Sequence, residues 1–320
     1  MLLDKELKIK NVTLQNRIVM PPMATEKSDQ GIVTQDQIDY YVKRAQNTGL
    51  VIVEHAYISP EGKCSKNQLS ICDDNCIGGL KKLSDAIHAT GSVCLTQLAH
   101  AGARAKHTGL AAISPSGIKL DEENPVEMTS GDIERIRESF LKAAIRSKEA
   151  GFDGVEVHSA HIYLLNQFYS PITNKRTDKY TGATIEGRTK LQCEIIRAIR
   201  QEIGEEFIIA IRLGAYDFEE EGSQIEDIPF ACQMFVEAGA DIIDISGGLH
   251  MYNSPESDEP GYFKKLSIAA KSGVNVPIIL TGGIKTSSEA EKLLEENAAD
   301  LIGVGRAMIK NPDWSTEAVQ

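Results

Sequence analysis

Phe207-Ile-Ile-Ala-Ile-Arg-Leu213, Pro229-Phe-Ala-Cys-Gln-Met-Phe-Val-Glu-Ala238 and Asp241-Ile-Ile-Asp-Ile-Ser246 follow one another along the chain, with Gly239 closing the middle segment. The two outer segments are short, nearly continuous β-branched runs. Strands buried on both faces of a parallel sheet read this way, whereas half-exposed strands alternate. The middle segment is amphipathic and stops at a glycine, which takes the left-handed conformation of a helix end at little cost.

The same alternation recurs along the chain. Further strands are predicted at 17–21, 50–55, 92–97, 154–158, 276–281 and 301–304, carrying runs such as VIVE, VEVH, PIIL and LIGVG. Helices 133–150 and 190–203 run up to Gly151 and Gly204. Thr34 with Gln37 and Thr286 with Glu289 have capping-box spacing. The first would open a helix that stops at Gly49, and the second the helix 290–296. Strand and helix alternating eight times predict a closed α/β barrel, the (β/α)8 TIM barrel, as a single domain over 1–320; a doubly wound open sheet is the structural alternative.

Composition narrows the function. A net charge of −12 argues against nucleic-acid binding, which needs a basic face. The opening MLLDKELKIK lacks an apolar signal core, and no run approaches the length of a spanning helix, so a cytoplasmic protein without membrane partners is expected. The six cysteines (Cys64, Cys72, Cys76, Cys94, Cys193 and Cys232) are too sparse for a disulfide framework. Cys72 and Cys76 lack the second pair and the spacing of a metal site, and no metal is expected.

Active sites of such barrels lie at the carboxyl ends of the strands. The unusual residues fall there: Pro21-Pro22-Met23-Ala24 after the first strand, Gln97 in the third, His158-Ser-Ala-His161-Ile-Tyr163 after the fourth, Arg212 in the fifth, Ser246-Gly-Gly after the sixth. The connections 98–131 and 159–187 are long enough to be lids or binding loops. Gly282 and Gly283 after the seventh strand, and Gly303, Gly305 and Arg306 around the eighth, suit a phosphate. Glycine lets backbone N–H groups approach an anion, and arginine grips it bidentately. A sugar-phosphate isomerase, an aldolase or a flavin enzyme would all use that arrangement. The two histidines admit three readings: joint polarisation of a ligand with Tyr163, a zinc site, or a pair of core histidines.

The run from His158 through Tyr163, Asn166, Phe168, Ser170-Pro171, Asn174, Arg176 and Asp178 to Tyr180-Thr181-Gly182 resembles the H-x-A-H-G-Y-L signature segment of the Old Yellow Enzyme family of FMN-dependent ene-reductases. Leu14-Gln15-Asn16-Arg17-Ile18-Val19-Met20-Pro21-Pro22-Met23-Ala24 is similar to the opening motif of that family. Gln97-Leu98-Ala99-His100-Ala101-Gly102 is similar to its third-strand motif, and Gly305-Arg306 to its last phosphate contact. The Pro-Pro-Met-Ala-Thr variant is similar to the 2-enoate reductase branch, of which this chain would be the barrel alone.

The resemblance implies a site. Pro21, Pro22, Met23 and Ala24 would line the flavin and Gln97 its pyrimidine edge. Arg212 would stand near N1 and O2, where negative charge gathers on reduction. Gly282, Gly283, Gly305 and Arg306 would hold the phosphate. His158 and His161 would bind the substrate carbonyl oxygen, and Tyr163 would protonate the α carbon. One phosphate site and no Rossmann glycine motif imply FMN rather than FAD, with NADH or NADPH as reductant and activated alkenes as small-molecule substrates. Relatives associate variously, so a homo-oligomer is compatible. Other chemistry on the same barrel, such as amine demethylation, or an electron-accepting subunit needing partner domains, is the alternative. Three positions depart from the family pattern: Ala24 where Cys or Thr is usual, Ile162 in place of glycine, and His55 where a small residue is common.

Overall fold

The computed structural model describes residues 1–120 and 124–320. An antiparallel hairpin, β1 (Leu7–Ile9) with β2 (Val12–Leu14), precedes the barrel. Eight parallel strands then close on themselves: β3 (Ile18–Met20), β4 (Leu50–Tyr57), β5 (Val93–Ala99), β8 (Gly154–Ser159), β9 (Ile208–Gly214), β10 (Ile242–Ser246), β11 (Ile278–Leu280) and β12 (Leu301–Gly303). β12 pairs back onto β3, so the barrel reading holds and the open sheet is excluded.

The continuous apolar runs follow from burial on both faces. Outward residues such as Val51, Val155, Ile209, Ile211 and Ile243 join the mantle of helices. Inward residues Val19, Leu50, Ile52, Val93, Leu95, Ile208, Ala210, Ile242, Ile279 and Leu301 form a separate apolar core with Ile9 and Leu14 of the hairpin. The hairpin therefore plugs the amino-terminal mouth, leaving the carboxyl mouth for a ligand.

The helices are α1 (Gln35–Ala45), α2 (Ile77–His88), α3 (Ser130–Glu149), α4 (Leu164–Tyr169), α5 (Ile185–Ile203), α6 (Ile228–Ala238), α7 (Lys264–Gly273), α8 (Ser287–Glu295), α9 (Arg306–Lys310) and α10 (Trp314–Ala318). Gly151, Gly204 and Gly239, at φ 82°, 96° and 118°, end α3, α5 and α6 as expected. The reciprocal capping box of Thr286 and Glu289 is present.

The box at Thr34 forms only half. Thr34 Oγ1 accepts from the Gln37 N–H, but the Gln37 side chain donates instead to Glu54 Oε1 at 2.6 Å. α1 also stops before Gly49: Asn47 turns the chain at φ 54°, and Gly49 is small because a Cβ there would lie 2.2 Å from the Asn16 carbonyl. Close approach of two chain segments, not a helix end, explains that glycine.

The long connections carry structure of their own. The segment after β5 contains a short parallel pair, β6 (Ile113–Ser114) with β7 (Val126–Glu127), and its residues 121–123 lie outside the described residues. The segment after β8 contains α4. Among the described residues no helix is long and apolar enough to cross a membrane, and no group of three or more His, Cys, Asp or Glu side chains is placed to hold a metal ion.

Candidate active site

A cavity of about 1330 Å³ opens at the carboxyl ends of the strands. Pro21, Pro22, Met23 and Ala24 line it from the end of β3, Gln97 from β5, and Arg212 from β9. His158, His161 and Tyr163 line it from β8 and beyond, and Gly282, Gly283, Gly305 and Arg306 from the loops after β11 and β12. All thirteen residues singled out in the sequence therefore meet in one space. His100, from the third-strand motif, does not: its Nδ1 accepts the Gly102 N–H at 3.0 Å behind the wall.

At one end the rings pack edge to face. The Tyr163 ring lies 4.9 Å from His158 and 5.6 Å from His55, His158 lies 5.2 Å from His161, and His161 lies 6.1 Å from Tyr252. His55 reaches this cluster because β4 shifts register between Val53 and Ala56, and a bulge re-aims the side chain. At the same irregularity Glu54 turns outward and is held by Thr25 and Gln37, tying the loop after β3 to α1.

Burial sets the protonation states. It holds the His158 and His161 imidazoles well below their usual range, and the Arg212 cation pushes both the same way. Burial also lowers His55 to about 4. All three are neutral at neutral pH, so each carries one N–H. Burial and the neighbouring Cys64 thiol raise Tyr163 well above 10, so its phenol stays protonated and can serve as an acid.

The histidines are not equivalent. His161 Nε2 lies 2.7 Å from Ser246 Oγ, whereas the buried Nδ1 of His158 has no partner within the protein. Ser246 was not among the expected site residues, although it opens the Ser-Gly-Gly run at the end of β10.

His161 and Ile162 both stand in the left-handed region, at φ 59° and 64°. The chain keeps the conformation a glycine would take, at a cost of order 1–3 kcal/mol per residue. Asn166 Oδ1 accepts the Ile162 N–H at 2.8 Å and Gln167 Nε2 donates to the Ile162 carbonyl at 2.6 Å, which hold it there. Ile162 thus holds the chain leading to Tyr163 in a conformation that strains a β-branched residue.

At the other end Gly282 and Gly283 take φ 120° and 71°, which only glycine adopts readily. Arg306 is exposed and donates to Tyr262 Oη at 2.7 Å, leaving most of its five donors free. Tyr262, from the long loop after β10, lies against both glycines; a Cβ on Gly282 would come 2.8 Å from its ring. Sequence reading missed Tyr262 because nothing local marks a loop residue that returns to the site.

These residues fit FMN. Gln97 and the Arg212 guanidinium line the cavity with donors that suit a polar ring edge, and the positive-φ Gly282 and Gly283 with Arg306 offer donors that suit a single phosphate. Bound FMN supplies hydride transfer.

The chain has known relatives. The chain is 39% identical over 329 residues to an NADH oxidase of Thermoanaerobacter brockii, covering 99% of this chain and 50% of that protein. It thus spans about half the length of that relative. It is 40% identical over 325 residues to an NADPH dehydrogenase of Listeria monocytogenes serotype 4b, covering 99% of this chain and 94% of that one. Its fold superposes on a 2-naphthoyl-CoA reductase structure with a TM-score of 0.93 at 28% identity, over 99% of this chain and 52% of the other. The model of the NADH:flavin oxidoreductase / NADH oxidase family matches residues 3–320. A barrel whose open mouth joins neutral histidines to loops of Gly282, Gly283, Gly305 and Arg306, matched over residues 3–320 by that model, belongs to this family of FMN-dependent oxidoreductases, the Old Yellow Enzyme group.

Proposed function

We propose that this chain is an ene-reductase: it takes hydride from NADH or NADPH onto FMN and reduces the activated C=C bond of α,β-unsaturated carbonyl compounds. The observation that carries this reading is the cluster of His158, His161 and Tyr163, two neutral imidazoles and a protonated phenol packed at one end of the flavin-sized cavity. His158, which lines the cavity, binds the substrate's carbonyl oxygen through its ring N–H and draws electron density from the double bond. His161 joins it through Nδ1, with Ser246 Oγ donating to its Nε2 and so fixing the tautomer. Tyr163 holds the proton that the α carbon receives. Gln97 and Arg212 hold the ring edge, Pro21 to Ala24 line it, and Gly282, Gly283, Gly305 and Arg306 hold the phosphate. Residues 1–320 act as one domain.

The NADH oxidase relative is twice as long, which supports a second reading: the barrel passes electrons to or from further domains. One experiment separates the two. The purified protein is reduced anaerobically by NADH or NADPH, then mixed with enones, enals, nitroalkenes and enoates. Bleaching followed by reoxidation with a reduced alkene product supports ene-reduction. Bleaching that only oxygen or an artificial acceptor reverses overturns it, and failure to bleach favours dependence on a partner.

A further inference from the structure

Beneath the ring end of the cavity, four neighbouring strands each turn a polar side chain into the barrel: Gln97 from β5, Glu156 from β8, Arg212 from β9 and Asp244 from β10. Gln97 pairs in register with Glu156 and Arg212 with Asp244, while Glu156 stands one inward step below Arg212. Ala210 and Ile242 stand level with Glu156, and Leu95 lies below, all in the apolar interior of the barrel. Gln97 and Arg212 also line the cavity above, whereas Glu156 and Asp244 are not among its lining residues.

Gln97 Nε2 donates to Glu156 Oε1 at 2.8 Å, and Arg212 Nε lies 3.1 Å from Asp244 Oδ2. Glu156 Oε2, both carboxylate oxygens of Asp244 and Arg212 Nε are buried without a hydrogen-bond partner, so Arg212 and Asp244 meet as an ion pair only, and both acids have no exposure at all. Two carboxylates facing one guanidinium leave a negative charge that no cation offsets. An uncompensated charge in such an interior costs several kcal/mol, and the usual resolution is to keep a proton. Burial raises both acids above the usual carboxylate range; the Asp244 charge pushes Glu156 further up, whereas Arg212 opposes the rise in both and the Glu156 carboxyl opposes it in Asp244. Gln97, bonded to Glu156, is neutral, and His158, in register with Arg212 on the neighbouring strand, is kept neutral by burial.

We propose that Glu156 and Asp244 form a proton-storage site linked to the redox state of the flavin. The pair holds one proton when the flavin is oxidised, takes a second when the flavin is reduced, and releases it on reoxidation. The inference rests on the FMN reading, which places the reduced ring's negative charge beside Arg212. That charge draws Arg212 away from Asp244. The Asp244 carboxylate, losing its cation, takes a proton from solvent water through the cavity and becomes a neutral acid, with no other bond made or broken. Glu156 and Asp244 are positioning residues in this scheme: they decide how much of the Arg212 charge faces the flavin.

The test uses the FMN-bound protein and reads protons rather than turnover. Anaerobic photoreduction in weakly buffered solution with a pH indicator counts protons taken up per flavin. The wild type is expected to take up one more than the Glu156→Gln, Asp244→Asn double variant. Reduced-minus-oxidised infrared spectra of the wild type alone are expected to show a gained carboxylic-acid C=O band that shifts in D₂O, so the proposal remains testable if the double variant does not fold. Equal proton counts, or a wild-type difference spectrum with no gained acid band, overturn the proposal and leave the ene-reductase reading standing. A purified protein carrying no FMN overturns both.

Discussion

Tyr163 has its ring 4.9 Å from His158 and is nearly buried, with a phenol held protonated. Tyr163→Phe keeps the packing and removes only the acidic hydroxyl. Flavin reduction by nicotinamide should then proceed at nearly its original rate, while enone reduction slows by roughly 10²-fold, the usual scale for losing a general acid. Nitroalkenes, whose product anion is stable without immediate protonation, should be spared. Stopped-flow traces of the two half-reactions check this, and equal slowing of both would remove Tyr163 from the role. One residue earlier, Ile162 sits strained at φ 64°. Deleting a half-buried isoleucine side chain elsewhere would cost a few kcal/mol. Here Ile162→Gly also releases about 1–3 kcal/mol of backbone strain. The urea midpoint should consequently move by no more than about 1 kcal/mol in stability. A loss of several kcal/mol would show that the isoleucine side chain, not the backbone, matters there.

Elements are joined at the base of the barrel by side chains that answer backbone groups. His88, in the last turn of α2, meets Asp153 just before β8 through Nε2 and Oδ2 at 2.8 Å, and Asp153 Oδ2 also accepts the Cys94 N–H of β5. The bond to Asp153 raises the His88 imidazole above its ordinary 6.5. The folded state thus binds this proton more tightly than the unfolded chain. The stabilisation is fully present below about pH 6.5 and is lost as pH rises through the raised folded value. Urea midpoints measured from pH 5.5 to 8.5 should fall across that window in the wild type, and His88→Gln should flatten this part of the profile. An unchanged slope in the variant would assign the pH dependence to other groups.

At the scale of the whole molecule, the cavity couples ligand to fold, because its walls come from nearly every strand of the barrel. FMN should therefore stabilise the protein by mass action, by about 2.7 kcal/mol at a hundred times its dissociation constant. Arg306→Ala removes a cation that, among the described residues, hydrogen-bonds Tyr262. A charged hydrogen bond is worth about 1.5–3 kcal/mol, so FMN affinity should fall roughly ten- to a hundredfold while the melting temperature of the apoprotein stays put. Fluorescence titration of FMN and thermal melts of both forms check this; a destabilised apoprotein with unaltered affinity would make Arg306 a structural residue.

Sequence alone was enough for the architecture, because strands buried on both faces and helices ending on Gly151, Gly204 and Gly239 leave local signals in β-branched runs and positive-φ glycines. It also marked thirteen of the residues that line the cavity, since a barrel brings every strand end to one mouth whatever the details of packing. Four things were decided by the tertiary structure. The Gln37 side chain left its capping box for Glu54, because a buried carboxylate needed a donor. Gly49 proved to serve a contact with Asn16, 33 residues away in the chain. His161 gained Ser246, and Arg306 gained Tyr262, from the strand and loop of β10. Glu156 and Asp244 drew no notice as sequence, since each sits inside an apolar strand; that both lie near one arginine in a closed interior follows from strand register around the barrel. Local spacing encodes elements; which polar groups must satisfy one another depends on which segments the closed barrel brings within hydrogen-bond reach.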